Sequence, residues 1–174
     1  MSDNTGIFII TESRGGKLLP TAAELFGAAH LIAADSGETV NAAVIGQGAE
    51  AGAAEAGKLG AKQVYIVGSD NITPDAAVIN LTRSISSLKP RFILMAENGL
   101  GKDLAPMLAA VLQTAAVTDV INLSTEGSDT VLTRPVYGGN ALADFRIATE
   151  PQIISLRPKA FTPASPGSGN AEII

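Results

Sequence analysis

Short apolar, β-branched runs alternate along this sequence with longer runs that have helical periodicity. The strand-like runs occupy residues 6–11, 40–46, 63–67, 91–95 and 119–123. The helix-like runs occupy residues 18–34, 49–59, 73–88 and 104–115. Parallel strands joined by helices make right-handed crossovers, so that helices cover both faces of one sheet. The pattern predicts an α/β fold, namely a three-layer α/β/α, Rossmann-like domain with a mostly parallel sheet.

Local signals mark where several of these helices begin and end. Thr73 is followed by Pro74, which predicts a capped helix start with proline at the first helical position. Thr21 and Glu24 have the spacing of a capping box at the start of the first helix. Gly60 suits the left-handed position just after the second helix. These signals set the expected limits of the first three helices.

The rhythm of the sequence changes after residue 124. Strand-like runs at 130–136, 141–147 and 152–156 are separated by short turns, and the glycines of the link at 137–140 suit a hairpin. These runs predict a C-terminal antiparallel extension, so that the α/β domain covers residues 1–161. Residues 162–174 begin with a stretch rich in Pro, Ser, Gly and Ala, which is typical of a linker and here predicts one that leads towards a further domain.

The composition excludes several classes of function. A net charge of −5 leaves no overall basic footprint for nucleic acid. No apolar run reaches the roughly 18 residues of a membrane span, and the polar start lacks the pattern of a secretory signal. The absence of cysteine excludes disulfides and thiolate chemistry. We expect a cytoplasmic protein that binds neither nucleic acid nor a membrane.

The single histidine, His30, lies within the first predicted helix, where a histidine is more often structural than catalytic. No second histidine exists to complete a metal site or a Ser-His pair. Carboxylates remain as acid–base groups, but none forms a distinct pair. We therefore expect neither a catalytic site nor a metal site in this chain.

One glycine-containing loop raises the alternative of a nucleotide-binding module. Gly46 and Gly48 follow the second strand and open a helix, as in a dinucleotide loop, and Asp70 has a suitable spacing for a ribose contact. That motif normally follows the first strand of such a domain. A tight turn with close helix packing is therefore the favoured interpretation of this loop.

A second loop offers Gly99, Gly101 and Lys102 at the start of a helix, where backbone amides can hold a phosphate. A phosphate loop needs a glycine and a Ser or Thr at the places taken here by Ala96 and Asp103. A capped helix start is the favoured interpretation of this second loop.

Glu12 and Glu97 follow the ends of the first and fourth predicted strands, where ligand crevices form in α/β sheets. If these strands are neighbours, both carboxylates approach the same crevice and disfavour a phosphate there. An equally weighted alternative is that both side chains are simply solvated at the start of loops.

Positive charge concentrates in the predicted antiparallel part of this acidic chain, at Arg134, Arg146, Arg157 and Lys159. Arginine forks suit carboxylates across a subunit interface. Taken alone, an ordinary solvated sheet face is the favoured interpretation of this group.

Several segments resemble the alpha subunits of electron transfer flavoproteins. The most specific lies at residues 133–141 and reads Thr-Arg-Pro-Val-Tyr-Gly-Gly-Asn-Ala. Others lie at 10–18, 60–65, 101–106 and 154–161, in the same order as in the family. Met107 departs from the family pattern, because an arginine often stands after Ala-Pro there.

The resemblance implies a heterodimer of alpha and beta subunits that carries electrons from flavin dehydrogenases to a quinone reductase or another acceptor. In that family this domain has an adenine nucleotide alpha hydrolase-like fold and packs with the beta subunit. FAD lies mainly in a second alpha domain, and AMP lies in the beta subunit. No segment here matches that flavin domain, so we expect no cofactor-binding residues and no FAD in this chain alone.

The resemblance also favours contact with another subunit or domain for Arg134, Tyr137 and Asn140, with Arg146 and Arg157 as further interface candidates. We therefore expect a scaffold domain that docks a beta subunit, supports FAD-mediated electron transfer and is not itself an enzyme. The alternative is a standalone module on the same fold that binds AMP, ATP or a dinucleotide.

Overall fold

An eight-stranded sheet forms the centre of the molecule in the computed structural model, which describes residues 4–67, 72–126 and 129–174. In chain order the elements are β1 (Ile7–Arg14), β2 (Lys17–Leu18), α1 (Thr21–Ser36), β3 (Val40–Gly46), α2 (Ala49–Lys58), β4 (Gln63–Val67), α3 (Pro74–Leu88), β5 (Phe92–Ala96), α4 (Gly99–Val111), β6 (Ala116–Val120), β7 (Asn122–Glu126), β8 (Asp129–Val136), β9 (Ala141–Phe145), β10 (Gln152–Leu156) and β11 (Glu172–Ile173). A 3-10 turn, Tyr137–Gly139, joins β8 to β9.

The large sheet has the strand order β11-β4-β3-β1-β5-β10-β6, and neighbouring strands in this order are parallel. The short β2 pairs with β1 in the antiparallel direction. A second sheet of the described residues is antiparallel, in the order β7-β8-β9. The predicted Rossmann-like architecture with an antiparallel extension is therefore confirmed.

Successive residues of β1 point to opposite faces of the sheet and contribute to two separate cores. Ile7 and Ile9 pack with residues of α1 and α2, whereas Phe8 and Ile10 pack with residues of α3 and α4. Each apolar side chain buried in this way stabilises the fold by about 1.5–3 kcal/mol. The two cores hold the helices on both faces, and the carboxyl ends of the parallel strands meet at one shared edge.

The predicted limits of α2 and α3 agree with the structure. The Thr73 hydroxyl accepts a hydrogen bond from the Ala76 amide at 3.4 Å, and Pro74 is the first residue of α3. Gly60 has a φ of +111° just beyond α2, a conformation that glycine adopts without strain. Both signals are local, which explains why the sequence alone reveals them.

The predicted capping box at Thr21 is wrong. Pro20 holds the cap position of α1, Thr21 is already helical, and no side chain caps this helix start. The Glu24 carboxylate instead accepts a hydrogen bond from the Lys159 amide at 2.6 Å. A contact between distant parts of the chain has replaced the local one.

Residues 152–156, which the sequence predicts to be part of the antiparallel extension, instead form β10 in the large sheet. This strand lies between β5 and β6 and is parallel to both. All five of its residues are buried, as is typical of a parallel strand covered on both faces. The short turns around the run do not reveal which sheet it joins, because that depends on pairing with strands far earlier in the chain.

The segment 162–174 lies against the helical layer formed by α1 and α2 and ends in β11, beside β4. Its role as a linker towards another domain stays a prediction. The segment itself makes main-chain hydrogen bonds to both helices and to the sheet.

Candidate functional site

A polar cleft lies at the carboxyl ends of β1 and β3, beside the start of α4. From β1 the chain moves outward to β3 and β4, and it then returns to β5 on the other side of β1. Ligands of open α/β sheets bind at such a reversal of strand order. The cleft, here called the strand-end cleft, has a volume of about 580 Å³ and is lined by Glu12, Ser13, Arg14, Leu19, Ile45, Gly46, Gln47, Ile72, Gly99, Leu100 and Asp103.

Only some of the glycine-loop candidates line this cleft. Gly46 and Gly99 do, whereas a side chain on Gly48 would meet the Gly16 amide nitrogen at 2.5 Å, so Gly48 serves the close approach of two backbone segments. Gly101 has a similar packing role, which lets α4 lie against β5. Lys102 is exposed on α4, and Asp70 lies outside the described residues.

Glu12 is held at the mouth of the strand-end cleft by Asn98. The Asn98 side-chain amide donates to a Glu12 carboxylate oxygen at 2.5 Å, and its own oxygen accepts from the Gly101 amide at 3.0 Å. Asn98 therefore caps α4 and fixes the carboxylate at the same time. Asp103 also lines the cleft, and Arg14 is the positively charged residue of the lining. The cleft therefore has more negative than positive charge.

Glu97 does not line the strand-end cleft, although β1 and β5 are neighbours as the sequence argument required. Its carboxylate instead accepts a hydrogen bond from the hydroxyl of Ser155 on β10, which is fully buried. The two carboxylates thus lie at the same edge of the sheet but point to different neighbours.

A second cluster lies at the carboxyl ends of β6 and β10, and we call it the Asp119 cluster. Arg157 donates two hydrogen bonds to the Asp119 carboxylate, at 2.8 and 2.6 Å, in the bidentate geometry that suits arginine. The Asp119 amide donates to the Ser155 hydroxyl at 3.2 Å. Arg134 reaches the same region, where it donates to the Thr118 hydroxyl at 3.2 Å. Two of the interface candidates, Arg134 and Arg157, are therefore brought together.

The charge of Asp119 is set by this cluster. The hydrogen bonds from Arg157 lower the pKa of the Asp119 carboxyl from its ordinary value, and the positive charges of Arg157, Arg134 and Lys102 act in the same direction. Partial burial opposes them by raising the pKa. The carboxylate is consequently ionised at neutral pH and holds Arg157 in place.

The remaining interface candidates lie on or next to the hairpin of β8 and β9, which we call the β-arm. Tyr137 is 84% exposed at its turn, and the Asn140 side-chain amide donates to the Tyr137 carbonyl at 3.0 Å. Leu142 and Phe145 on β9 are 62% and 38% exposed, and Arg146 follows directly. Within the described residues β9 is the outer strand of its sheet, so the β-arm presents apolar side chains beside an open edge.

The sequence argument missed several residues of these two regions. Asp119 and Ser155 join the Asp119 cluster through contacts between distant strands, and no local spacing indicates them. Leu142 and Phe145 sit in a run whose alternation reads like an ordinary strand. Their exposure becomes visible only when the outer position of β9 is known.

His30 has a structural position. Its ring lies over Gly60, where an added side-chain carbon would meet a ring nitrogen at 2.7 Å, and it packs near the Phe26 ring at 6.4 Å. Within residues 4–67, 72–126 and 129–174, no group of three or more His, Cys, Asp or Glu side chains is arranged to hold a metal ion. Among those residues, no helix has the length and apolar character that crossing a membrane requires.

The sequence of this chain is similar to a known protein family and to several known proteins. Residues 7–174 match the family model for the electron transfer flavoprotein domain. An electron transfer flavoprotein subunit alpha from Syntrophomonas wolfei is 35% identical over 156 residues, which cover 88% of this chain and 48% of that protein. A subunit of the same name from Thermoanaerobacterium thermosaccharolyticum is 32% identical, over 91% of this chain and 49% of that protein.

A further relative carries a different name. Subunit LctC of a lactate dehydrogenase (NAD(+),ferredoxin) from Acetobacterium woodii is 34% identical, over 90% of this chain and 39% of that protein. The chain spans about half the length of the first two relatives and less of this one.

Proposed function

The chain belongs to the electron transfer flavoprotein family, and from this premise we propose that it is a scaffold domain of an alpha subunit. It docks a beta subunit and supports electron transfer between flavin dehydrogenases and a downstream acceptor. The FAD that carries the electrons is bound outside this chain, and AMP is bound by the beta subunit. The complex acts in the cytoplasm, and this chain contributes no catalytic group.

The observation that carries the proposal is the β-arm. Tyr137, Leu142 and Phe145 expose apolar surface on one hairpin, next to the outer edge of β9, which pairs with no further strand among the described residues. Proteins usually cover or charge such edges, and aromatic side chains are enriched in protein interfaces. A partner that covers this hairpin shields both the apolar side chains and the strand edge from water.

The Asp119 cluster supplies the polar side of the same proposal. Arg157 is 45% exposed along its side chain although Asp119 holds it by two hydrogen bonds. An arginine that is already oriented loses little side-chain freedom when it meets a partner carboxylate. Positive charge here, on a chain of net charge −5, favours a partner with an acidic patch and fixes its orientation.

The proposal is tested by binding of the beta subunit to the parent chain and to two variants. Leu142→Glu places a charge in the β-arm, and Ile79→Glu places the same charge at an equally apolar position, 67% exposed, on α3. We expect Leu142→Glu to weaken binding at least about tenfold and Ile79→Glu to leave it unchanged. Equal affinities for the two variants, measured by calorimetry, would remove the β-arm from the interface.

A nucleotide-binding module is a second candidate, favoured by one observation. Gly46 and Gly99, from two separate glycine loops, both line the strand-end cleft of about 580 Å³, and that volume lies in the range of small-molecule sites. Calorimetry with AMP, ATP and NAD separates the two functions. Micromolar binding of any of these nucleotides favours the nucleotide-binding module, whereas no measurable binding favours the scaffold domain.

A further inference from the structure

The segment 162–174 crosses from α1 to the end of α2 and then joins the sheet. It follows Phe161, which is 8% exposed and packs in the core under α1 and α2. Ala164 and Ala171 then pack against that same core. The segment therefore contacts the helical layer at both ends of its course, although its composition is typical of a flexible linker.

Main-chain hydrogen bonds hold the segment at three places. The Ala164 amide donates to the Ala23 carbonyl of α1 at 2.8 Å, and the Gly167 amide donates to the Lys58 carbonyl at the end of α2 at 2.7 Å. Along β4, the Ile174 amide donates to the Val64 carbonyl at 2.9 Å. Since backbone groups make these bonds, they require an extended chain but no particular side chains.

Glycines allow the backbone of the segment to approach the backbone of α1 and α2 closely. A side-chain carbon on Gly27 of α1 would lie 2.0 Å from the Thr162 carbonyl oxygen, and one on Gly57 of α2 would lie 2.7 Å from the Ala171 amide nitrogen. On the other side of the contact, a carbon on Gly169 would lie 2.7 Å from the Gly57 carbonyl oxygen. The obstructing atoms belong to the backbone and cannot rotate away. Glycine inside a helix costs about 1 kcal/mol relative to alanine, so Gly27 and Gly57 act against the helices that contain them.

The end of the segment covers a strand edge. β11 pairs in parallel with β4, and Gln63 on β4 donates a side-chain hydrogen bond to Glu172 at 2.9 Å. Without β11, the backbone groups of β4 would be open to pairing with another chain. The contact thus protects the sheet at the side opposite to β6.

We propose that residues 162–174 form an intramolecular strap, and that Gly27, Gly57 and the edge of β4 form its binding site. The ligand class of this site is an extended backbone with small residues where it passes Gly57, supplied here by the chain itself. The strap keeps the edge of β4 closed and sets where the chain lies after the α/β domain. This site is separate from the β-arm and does not depend on the proposed docking of a beta subunit.

A matched pair of tail variants tests the proposal by amide hydrogen exchange on the full chain. Gly169→Ala places a carbon against the Gly57 carbonyl, whereas Gly167→Ala places one at an ordinary contact distance of 3.7 Å from the Lys58 carbonyl. We expect the amides of Ala164, Gly167, Glu172 and Ile174 to be protected in the parent chain. Exchange of the Glu172 and Ile174 amides should rise at least about tenfold in Gly169→Ala and stay unchanged in Gly167→Ala.

Gly27→Ala probes the contact of α1 with Thr162, at the other end of the strap, and should release the Ala164 amide. Exchange of the parent strap amides at the rate of an unstructured peptide would overturn the proposal. Equal exchange in Gly169→Ala and Gly167→Ala would overturn it as well. If exchange of the β1 and β5 amides rose equally in Gly169→Ala, the segment would unfold together with the whole domain. That result would also overturn the proposal.

Discussion

Asp119 shows how a single residue can hold a strand end in an unusual conformation. Its φ of +61° is in the left-handed region, which is uncommon for a residue other than glycine. The Ser155 hydroxyl accepts from its amide, and Arg157 binds its carboxylate with two hydrogen bonds. Contacts to both the backbone and the side chain thus fix the residue at the carboxyl end of the sheet.

The lowered pKa of Asp119 predicts a pH-dependent contribution to stability. A carboxyl whose pKa is lower in the folded state stabilises the fold above its unfolded pKa, and this stabilisation is lost as the pH falls through the folded pKa. Asp119→Asn should therefore lower the free energy of unfolding at pH 7 and have less effect as the pH is lowered into the acid range. Urea unfolding of parent and variant at several pH values measures the difference.

Arg157→Gln provides the control for that experiment. Since the hydrogen bonds from Arg157 are the main cause of the lowered pKa, the pH-dependent effect of Asp119→Asn should largely disappear in the Arg157→Gln background. An effect of Asp119→Asn that is the same at every pH would contradict this account.

At the scale of the elements, α4 approaches β5 as closely as the backbone allows. A side-chain carbon on Gly101 would lie 1.9 Å from the Ala96 carbonyl oxygen, whereas one on Gly99, in the same helix, would meet nothing within 4 Å. Gly101→Ala should force α4 away from the sheet and destabilise the protein by about 1–3 kcal/mol. Gly99→Ala should be close to neutral. Denaturant unfolding compares the two, and equal stabilities would show that the close approach is not required.

The sequence predicts elements well where local chemistry decides them. The limits of β3 and β4 agree with the predicted runs, because a glycine turn or a capped helix borders each run. The sequence predicts that residues 152–156 form a strand, but their place between β5 and β6 depends on distant pairing. The position of residues 162–174 depends on backbone bonds, which leave little mark on composition.

At the scale of the whole molecule, the interface candidates come from a concentration of positive charge and from the family resemblance, and the structure divides them between two regions. Arg134 and Arg157 belong to the Asp119 cluster, whereas Tyr137 and Asn140 form the turn of the β-arm. Their role in an interface stays a prediction. The four candidate glycines of the two loops are divided in the same way. Gly46 and Gly99 line the strand-end cleft, whereas Gly48 and Gly101 allow close backbone packing.

The isolated chain should purify without stoichiometric flavin. Its strand-end cleft combines Glu12 and Asp103 with Arg14, and this balance disfavours the two phosphates of FAD. The visible absorption spectrum, recorded before and after addition of FAD and removal of the excess, measures bound flavin. A full-length family member with its beta subunit is the positive control. A yellow isolated chain with one flavin per molecule would contradict the proposed scaffold role.

The position of β10 between β5 and β6 has a consequence for synthesis on the ribosome. A nascent chain that ends at β6 has no neighbour for that strand, because the strand that joins it to the rest of the sheet has yet to be translated. At about 5–20 residues per second, translation from the end of β6 to the start of β10 takes roughly 2–6 s. During that interval the edge of β5 that later pairs with β10 has no partner strand. Until β10 is made, β6 cannot join the large sheet, so this side of the fold is completed late in synthesis.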